Sequence, residues 1–280
     1  THEELGFEER LALLVDREST HRSNNKVSRL MKAAKLKLQA HPEDIDYRHA
    51  RGLNQSQFAD LLSSQWIHQH HNVLITGPTG CGKTYITGLL AYHLKKAGVK
   101  IITSKLVQTG CRGISEDILE HRRIMESEIL PEDKSGLTCS YVFSYPASPH
   151  LSAKIDNRPI DTGIIRKSTE KLLNNYNIVL TEGAGGLMVP ITGNYFTIDY
   201  IKEHALPLIL VSSAKLGSIN HTLMSIELCL YHNINLHTFV YNKMPDADPV
   251  IANDSFAFFK DYLKIKFPDV HLIHSDLLNK

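Results

Sequence analysis

The chain has 280 residues, a formal charge of +1 and 42% hydrophobic residues. That is enough for one large α/β domain with an N-terminal appendage, and it argues against a disordered class. A net charge this small leaves no global polyanion signature, so any nucleic-acid role must come from a local patch. Cys81, Cys111, Cys139 and Cys229 are dispersed without a C-x-x-C pair; this argues against a disulfide framework or zinc site and fits a reducing, cytoplasmic setting. No charged-then-apolar leader opens the sequence, and no apolar run approaches the roughly 18 residues of a membrane span.

Residues 3–18 set Leu5, Leu11, Leu13, Leu14 and Val15 among acids and arginines in a helical rhythm. A second helix is expected over 24–40. It carries Lys26, Arg29, Lys32, Lys35 and Lys37 with no acid, so the 22–37 stretch is either a solvated basic face or a nonspecific contact for DNA phosphates. His68, His70 and His71 cluster before the first strand, but no further ligands follow at useful spacing, so they read as surface histidines.

The strand beginning at Val73 runs into G-P-T-G-C-G-K-T, Gly77 to Thr84, which fits the phosphate-binding loop G-x-x-x-x-G-K-[ST] in its required strand-to-helix setting. Gly77, Gly80 and Gly82 permit the tight turn that lets the backbone around Thr79 and Cys81 face anionic oxygens, with the N-terminus of the next helix adding positive potential. Lys83 is positioned to reach the β/γ-phosphates of ATP, and the Thr84 hydroxyl to complete a Mg²⁺ shell.

Downstream, helices are expected at 84–96, 116–128, 163–175, 219–231 and 252–264. Strands are expected at 99–103, 178–181, 206–212, 236–241 and near 270–273. This alternation predicts a P-loop NTPase-type α/β fold: a parallel sheet with helices on both faces, preceded by a small helical segment, with the domains divided as 1–70 and 71–280. The ligand is expected at the carboxyl ends of the strands. Of the residues there, Lys105 could be a plain surface lysine, Asp117 a helix-start residue and Asn242 a turn residue.

Two resemblances refine this reading. F-E-E-R-L-A-L-L-V-D-R-E, E-D-I-D-Y-R, R-G-L-N and Q-W-I-H-Q-H-H-N-V-L-I-T-G-P-T-G-C-G-K-T, within about residues 5–85, resemble the front of IstB-like transposition helper ATPases. In that family this region precedes an AAA+ core that binds DNA and the transposase. The paired acids of such a core do not follow: 178–180 ends in T-E-G-A-G-G. Instead K-L-V-Q-T-G (105–110), S-E-D-I-L-E-H-R (115–122), S-Y-P-A-S-P-H-L-S-A (144–153), T-E-G-A-G-G-L-M-V-P (181–190), A-K-L-G-S-I-N-H-T (214–222) and V-Y-N-K (240–243) occur in order and resemble ATP-dependent dethiobiotin synthetases over about 72–275.

The second resemblance implies a cyclo-ligase of biotin biosynthesis that converts 7,8-diaminononanoate, CO₂ and MgATP to dethiobiotin, ADP and phosphate, through a carbamate and its carbamic-phosphoric anhydride. By the same resemblance, Lys105 meets the carbamate and γ-phosphate, and Asp117 and Glu182 hold Mg²⁺ with Thr84. Thr109, Gly185 and Gly186 lie by the diamine. Ser218 and Asn220 receive the substrate carboxylate in a homodimer, and Asn242 contacts adenine. The rival readings are a DNA-associated transposition helper NTPase and a catalytically impaired nucleotide-binding hybrid. They draw on two departures from the synthetase pattern: a loop one residue shorter than G-T-[DN]-T-x-x-G-K-T, with no acid between Gly77 and Lys83, and Leu106 in the place of a usual proline.

Overall fold

The structure, a computed structural model, describes residues 72–244 and 247–275. The expectations for the 1–70 segment, its helices, the basic 22–37 stretch and the 68–71 histidines lie outside the described residues.

Six parallel strands form the main sheet: β1 (Asn72–Thr76), β2 (Ile101–Lys105), β5 (Ile178–Glu182), β6 (Leu208–Ser213), β7 (Leu236–Asn242) and β8 (His271–His274), in the order β2-β5-β1-β6-β7-β8. A separate parallel pair joins β3 (Gln108–Thr109) to β4 (Val142–Phe143). The helices are α1 (Lys83–Lys96), α2 (Glu116–Ile124), α3 (Pro131–Lys134), α4 (Pro149–Ile155), α5 (Thr162–Leu173), α6 (Thr197–Glu203), α7 (Ser218–Tyr231) and α8 (Pro249–Lys266). The parallel α/β architecture expected from the apolar alternation is therefore present.

The strands are apolar at successive positions because both faces of the sheet are covered. Val73 and Ile75 of β1 pack with Ile86, Ala91, Ile178, Leu180, Ile209 and Val211 on one face. Leu74, between them, belongs with Leu208, Leu210, Phe239 and Phe259 on the other. Strand β1 lies between β5 and β6, so the loop leaving its carboxyl end emerges at the centre of the sheet.

Differences from the expected boundaries have local causes. Strand β2 runs to Lys105 rather than Thr103, because parallel pairing with β5 carries the ladder through Ser104↔Thr181 and Lys105↔Glu182. The Leu106 amide extends it by donating to the Glu182 carbonyl at 2.9 Å, a bond that a proline at this position could not make. Helix α2 stops at Ile124; Met125 caps it and Glu126 takes a positive φ of 48°. The short elements α3, α4, α6, β3 and β4 were not expected, being too brief for a hydrophobic period to show.

One buried ion pair fixes α2 to the sheet. Arg122 and Asp133 meet through Nη2–Oδ1 at 2.8 Å and Nε–Oδ2 at 2.9 Å, and Arg122 Nη1 donates to Thr103 Oγ1 at 2.8 Å. Asp133 also accepts from the Leu130 amide and the Thr138 hydroxyl, so every oxygen in the pair is satisfied. Arg122→Ala would leave Asp133 buried without its partner and should cost about 3–5 kcal/mol. Urea unfolding of the variant measures this, and the double change Arg122→Met with Asp133→Leu should recover only part of the loss, because the Leu130 amide and the Thr138 hydroxyl lose their acceptor.

Candidate active site

The loop from Gly77 to Thr84 is seated against its neighbours by backbone contacts. A Cβ on Gly77 would lie 2.1 Å from the Val211 carbonyl oxygen, so only glycine fits against β6 there. Gly82 has a φ of 90°, and a Cβ on it would meet the Asn242 side-chain nitrogen at 2.3 Å. Lys83 Nζ folds back onto the Gly77 and Pro78 carbonyls at 2.9 and 3.1 Å. Burial holds its ammonium below the ordinary lysine range. Thr79 and Gly80 are exposed at the loop tip, while Cys81 is buried.

Beside the loop, four of the expected site residues converge. Lys105 Nζ stands 2.6 Å from Asp117 Oδ2 and 2.9 Å from Glu182 Oε1, and it donates to the Gly183 carbonyl at 3.2 Å. Thr84 Oγ1 lies 3.1 Å from Glu182 Oε1 and 3.3 Å from Asp117 Oδ1; its single proton serves one of them at a time. The convergence follows from the fold: Lys105 and Glu182 are register partners at the ends of β2 and β5, and Thr84 lies in the first turn of α1. Asp117 sits in the first turn of α2, whose start is fixed by Ser115. The Ser115 hydroxyl accepts from the Ile118 amide and donates to Gln108 Oε1 at 2.6 Å.

The electrostatics of this cluster follow from its burial. Desolvation pushes the Glu182 carboxyl up, but the Lys105 charge and the His121 and Lys105 hydrogen bonds outweigh it and hold the pKa at about 2. Burial likewise opposes the Lys105 charge, yet Glu182 and Asp117 raise its ammonium above the ordinary range.

His121 was not singled out in the sequence. Its ring is fully buried, and Nε2 lies 2.9 Å from Glu182 Oε2. The available signal was its position four residues after Asp117, which puts both on one face of α2.

The remaining site candidates are more dispersed. Gly185 has a φ of 83°, and its carbonyl accepts from Thr76 Oγ1 at 2.9 Å, so the loop after β5 is tied to the end of β1; a Cβ on Gly186 would meet open space. Thr109 ends β3 and is half-buried. Ser218 and Asn220 open α7 behind Gly217 at a φ of 86°, and no hydrogen bond or ion pair joins them to the carboxylate cluster among the described residues. Asn242 ends β7 and braces the phosphate loop, with Nδ2 donating to the Cys81 carbonyl at 3.0 Å and lying 3.2 Å from Met244 Sδ.

Among the described residues no group of three or more His, Cys, Asp and Glu is arranged to hold a metal ion. The set beside the loop is different in kind: two carboxylates and a hydroxyl, hard oxygens that already converge on the cationic Lys105 amine. Mg²⁺ is commonly held by one or two carboxylates completed by phosphates and water, and this donor set fits it. No described helix is long and apolar enough to cross a membrane.

The phosphate loop at the centre of a parallel sheet, with acids at the neighbouring strand end and helix start, defines an ATP-dependent enzyme of the P-loop class. A family model described as an AAA domain matches residues 71–267, and one described as IstB-like ATP binding protein matches residues 1–109. The ATP-dependent dethiobiotin synthetase BioD 2 of Pasteurella multocida is 46% identical over 206 residues, covering 73% of this chain and 97% of that protein. BioD 2 of Haemophilus ducreyi is 46% identical over 198 residues, covering 71% and 94%. BioD of Chlorobaculum tepidum is 48% identical over 174 residues, covering 62% and 73%. The chain belongs to the ATP-dependent dethiobiotin synthetase family, and its front carries the resemblance to IstB-like proteins expected from the sequence. Among solved structures, the hydrogenase maturation factor HypB of Archaeoglobus fulgidus aligns with a TM-score of 0.40 at 17% identity, covering 78% of this chain and 85% of that one.

The depressed Glu182 pKa has a consequence for acid stability. A carboxyl held at about 2 when folded, against an ordinary 4.5, contributes stability that is present above pH 4.5 and is lost as the pH falls toward 2. Urea midpoints should decline across that window, and Glu182→Gln should make the decline shallower.

Proposed function

We propose that the chain makes dethiobiotin from 7,8-diaminononanoate, CO₂ and ATP, in biotin biosynthesis. The observation that carries this reading is the convergence of Lys105, Asp117, Thr84 and Glu182 beside a complete phosphate loop, together with the near-full-length match to named dethiobiotin synthetases.

One substrate amine adds to CO₂, forming a C–N bond and releasing a proton, to give a carbamate. A carbamate oxygen attacks the γ-phosphorus, and the bond to the ADP oxygen breaks with its electron pair leaving on ADP. The second amine then attacks the carbamoyl carbon; the C–O bond to phosphate breaks, the amine loses a proton, and the ureido ring closes. Little covalent chemistry falls to the protein, so positioning and charge neutralisation must supply most of the acceleration.

In this reading the loop amides of 77–84 cradle the triphosphate. Lys83 exchanges the Gly77 and Pro78 carbonyls for phosphate oxygens, and Lys105, already desolvated and fully charged, meets the carbamate and γ-phosphate. Thr84, Asp117 and Glu182 would hold Mg²⁺, which when bound neutralises phosphate charge. Thr109, Gly185 and Gly186 line the diamine side. Ser218 and Asn220, at the N-terminus of α7, take the substrate carboxylate of a neighbouring subunit in a homodimer. Asn242 borders the base while bracing the loop. Four free, buried cysteines fit a reducing cytoplasm.

Residues 1–70 form a separate helper-like segment in this scheme. The IstB-like match favours a second reading for that part, a nonspecific DNA contact through 22–37.

Purified protein should consume ATP only when diaminononanoate and bicarbonate are both present. Lys105→Ala or Glu182→Ala should lower that turnover by about 100-fold or more, and diamine-independent hydrolysis insensitive to both changes would overturn the assignment. Reversing Lys26, Arg29, Lys32 and Lys35 to glutamate in the full chain should abolish any duplex-DNA shift at low salt and leave diamine-dependent turnover intact.

A further inference from the structure

The two oxygens of Glu182 have different surroundings. Oε1 faces the open part of the cluster, taking Lys105 at 2.9 Å and the Thr84 hydroxyl at 3.1 Å. Oε2 faces the interior, 2.9 Å from His121 Nε2. The Glu182 side chain is 2% exposed and the His121 side chain 0%, so solvent cannot take over either role. The helix turn that carries His121 is also anchored. Its neighbour Arg122 anchors the same helix turn to Asp133 and Thr103, and Asp117, one turn earlier, is tied to Lys105. The backbone that carries the imidazole is therefore fixed, and among the described residues Nε2 on Glu182 is the ring's one hydrogen bond, Nδ1 being buried without a partner.

A carboxylate can give a cation one oxygen or both. Giving both suits Ca²⁺, which takes six to eight oxygens in flexible geometry. Mg²⁺ requires a tight octahedron and is satisfied by single oxygens, phosphates and water. We infer that His121 is a positioning residue that pins Glu182 Oε2, leaves Oε1 as the one oxygen Glu182 can turn to a cation, and thereby favours Mg²⁺ over Ca²⁺ at the phosphate loop. The inference rests on Thr84, Asp117 and Glu182 being the metal site.

A histidine that merely filled the core would serve folding and leave ion preference untouched. The two roles separate by where a donor is placed. His121→Gln can put an amide nitrogen close to where Nε2 stands, whereas His121→Asn keeps a polar side chain but draws the donor back toward the position of Nδ1.

The test is calorimetric titration of Mg²⁺ and Ca²⁺ into the full chain saturated with a non-hydrolysable ATP analogue. The native protein should prefer Mg²⁺. His121→Asn should move the ratio of the two dissociation constants toward Ca²⁺ by about tenfold or more, and His121→Gln should stay within about threefold of native, the usual scale for partners that orient a metal ligand. Equal ratios in the native protein and both variants, or equal displacement by both, would overturn the inference. If His121→Asn does not fold, His121→Met, which fills the space without a donor, takes its place: the same shift toward Ca²⁺ is expected, and an unchanged ratio overturns the inference. Glu182→Gln separates the two levels. If it leaves Mg²⁺ affinity unchanged, the metal site itself falls, and with it the inference. If it weakens Mg²⁺ while His121→Asn changes nothing, the inference alone fails.

Discussion

The site depends on one buried ammonium held between two carboxylates. Removing Lys105, Asp117 and Glu182 from water carries a desolvation penalty that an isolated pair often fails to recover. Here it is offset by geometry. Lys105 has acceptors at Asp117, Glu182 and the Gly183 carbonyl, and Glu182 has donors on both oxygens. Because Lys105 and Glu182 are register partners on adjacent parallel strands, this arrangement is specified by sheet pairing rather than by loop conformation. A one-residue slip of β2 against β5 would put the two side chains on opposite faces. The cluster and the strand register are thus the same constraint.

The second support is α2. It brings Asp117 to the cluster and is clamped by two contacts that point in different directions, His121 onto Glu182 and Arg122 onto Asp133 and Thr103. The Ser115 cap fixes where the helix begins, and its link to Gln108 ties that start to β3. The acid farthest from the sheet is placed by a helix docked at its start and its middle. Asp117 is the most exposed of the three, with 27% of its side chain accessible against 7% for Lys105 and 2% for Glu182.

What could be read from the sequence divides along physical lines. The main-sheet strands and long helices were legible because strands buried on both faces and helices of a dozen residues leave strong hydrophobic patterns. The phosphate loop was legible because its backbone geometry demands glycines at fixed spacing. Lys105, Asp117 and Glu182 came from a resemblance, and no local pattern would have joined three residues from two strand ends and a helix start. His121 and Arg122 were passed over because the acid each one pairs with, Glu182 and Asp133, lies elsewhere in the chain. Leu106 looked like a departure from the family pattern, and the structure gives it a use as a donor that prolongs the β2–β5 ladder. The expected adenine contact of Asn242 came from the resemblance as well; among the described residues its side chain braces the loop at the Cys81 carbonyl and lies beside Met244.

The two family matches overlap over residues 71–109, which contain β1, the phosphate loop, α1 and β2. The contacts that seat the loop in the sheet explain how a helper-type loop can sit in a synthetase fold. Gly77 packs on the Val211 carbonyl, Gly183 donates its amide to the Ile75 carbonyl, Asn242 reaches the Cys81 carbonyl, and Lys83 rests on the Gly77 and Pro78 carbonyls. On the loop side the contacts to β5, β6 and β7 run through main chain or a glycine, and the Lys83 side chain bonds within the loop itself. The loop side chain that reaches the acids is Thr84, which both families supply in G-K-T. The flanking strand and helix reach the core through Val73, Leu74, Ile75 and Ile86, whereas the loop between them is seated largely through main chain. The missing loop residue therefore bears on how phosphate is approached, while the strand-end chemistry at Lys105 and Glu182 keeps the geometry that the register dictates.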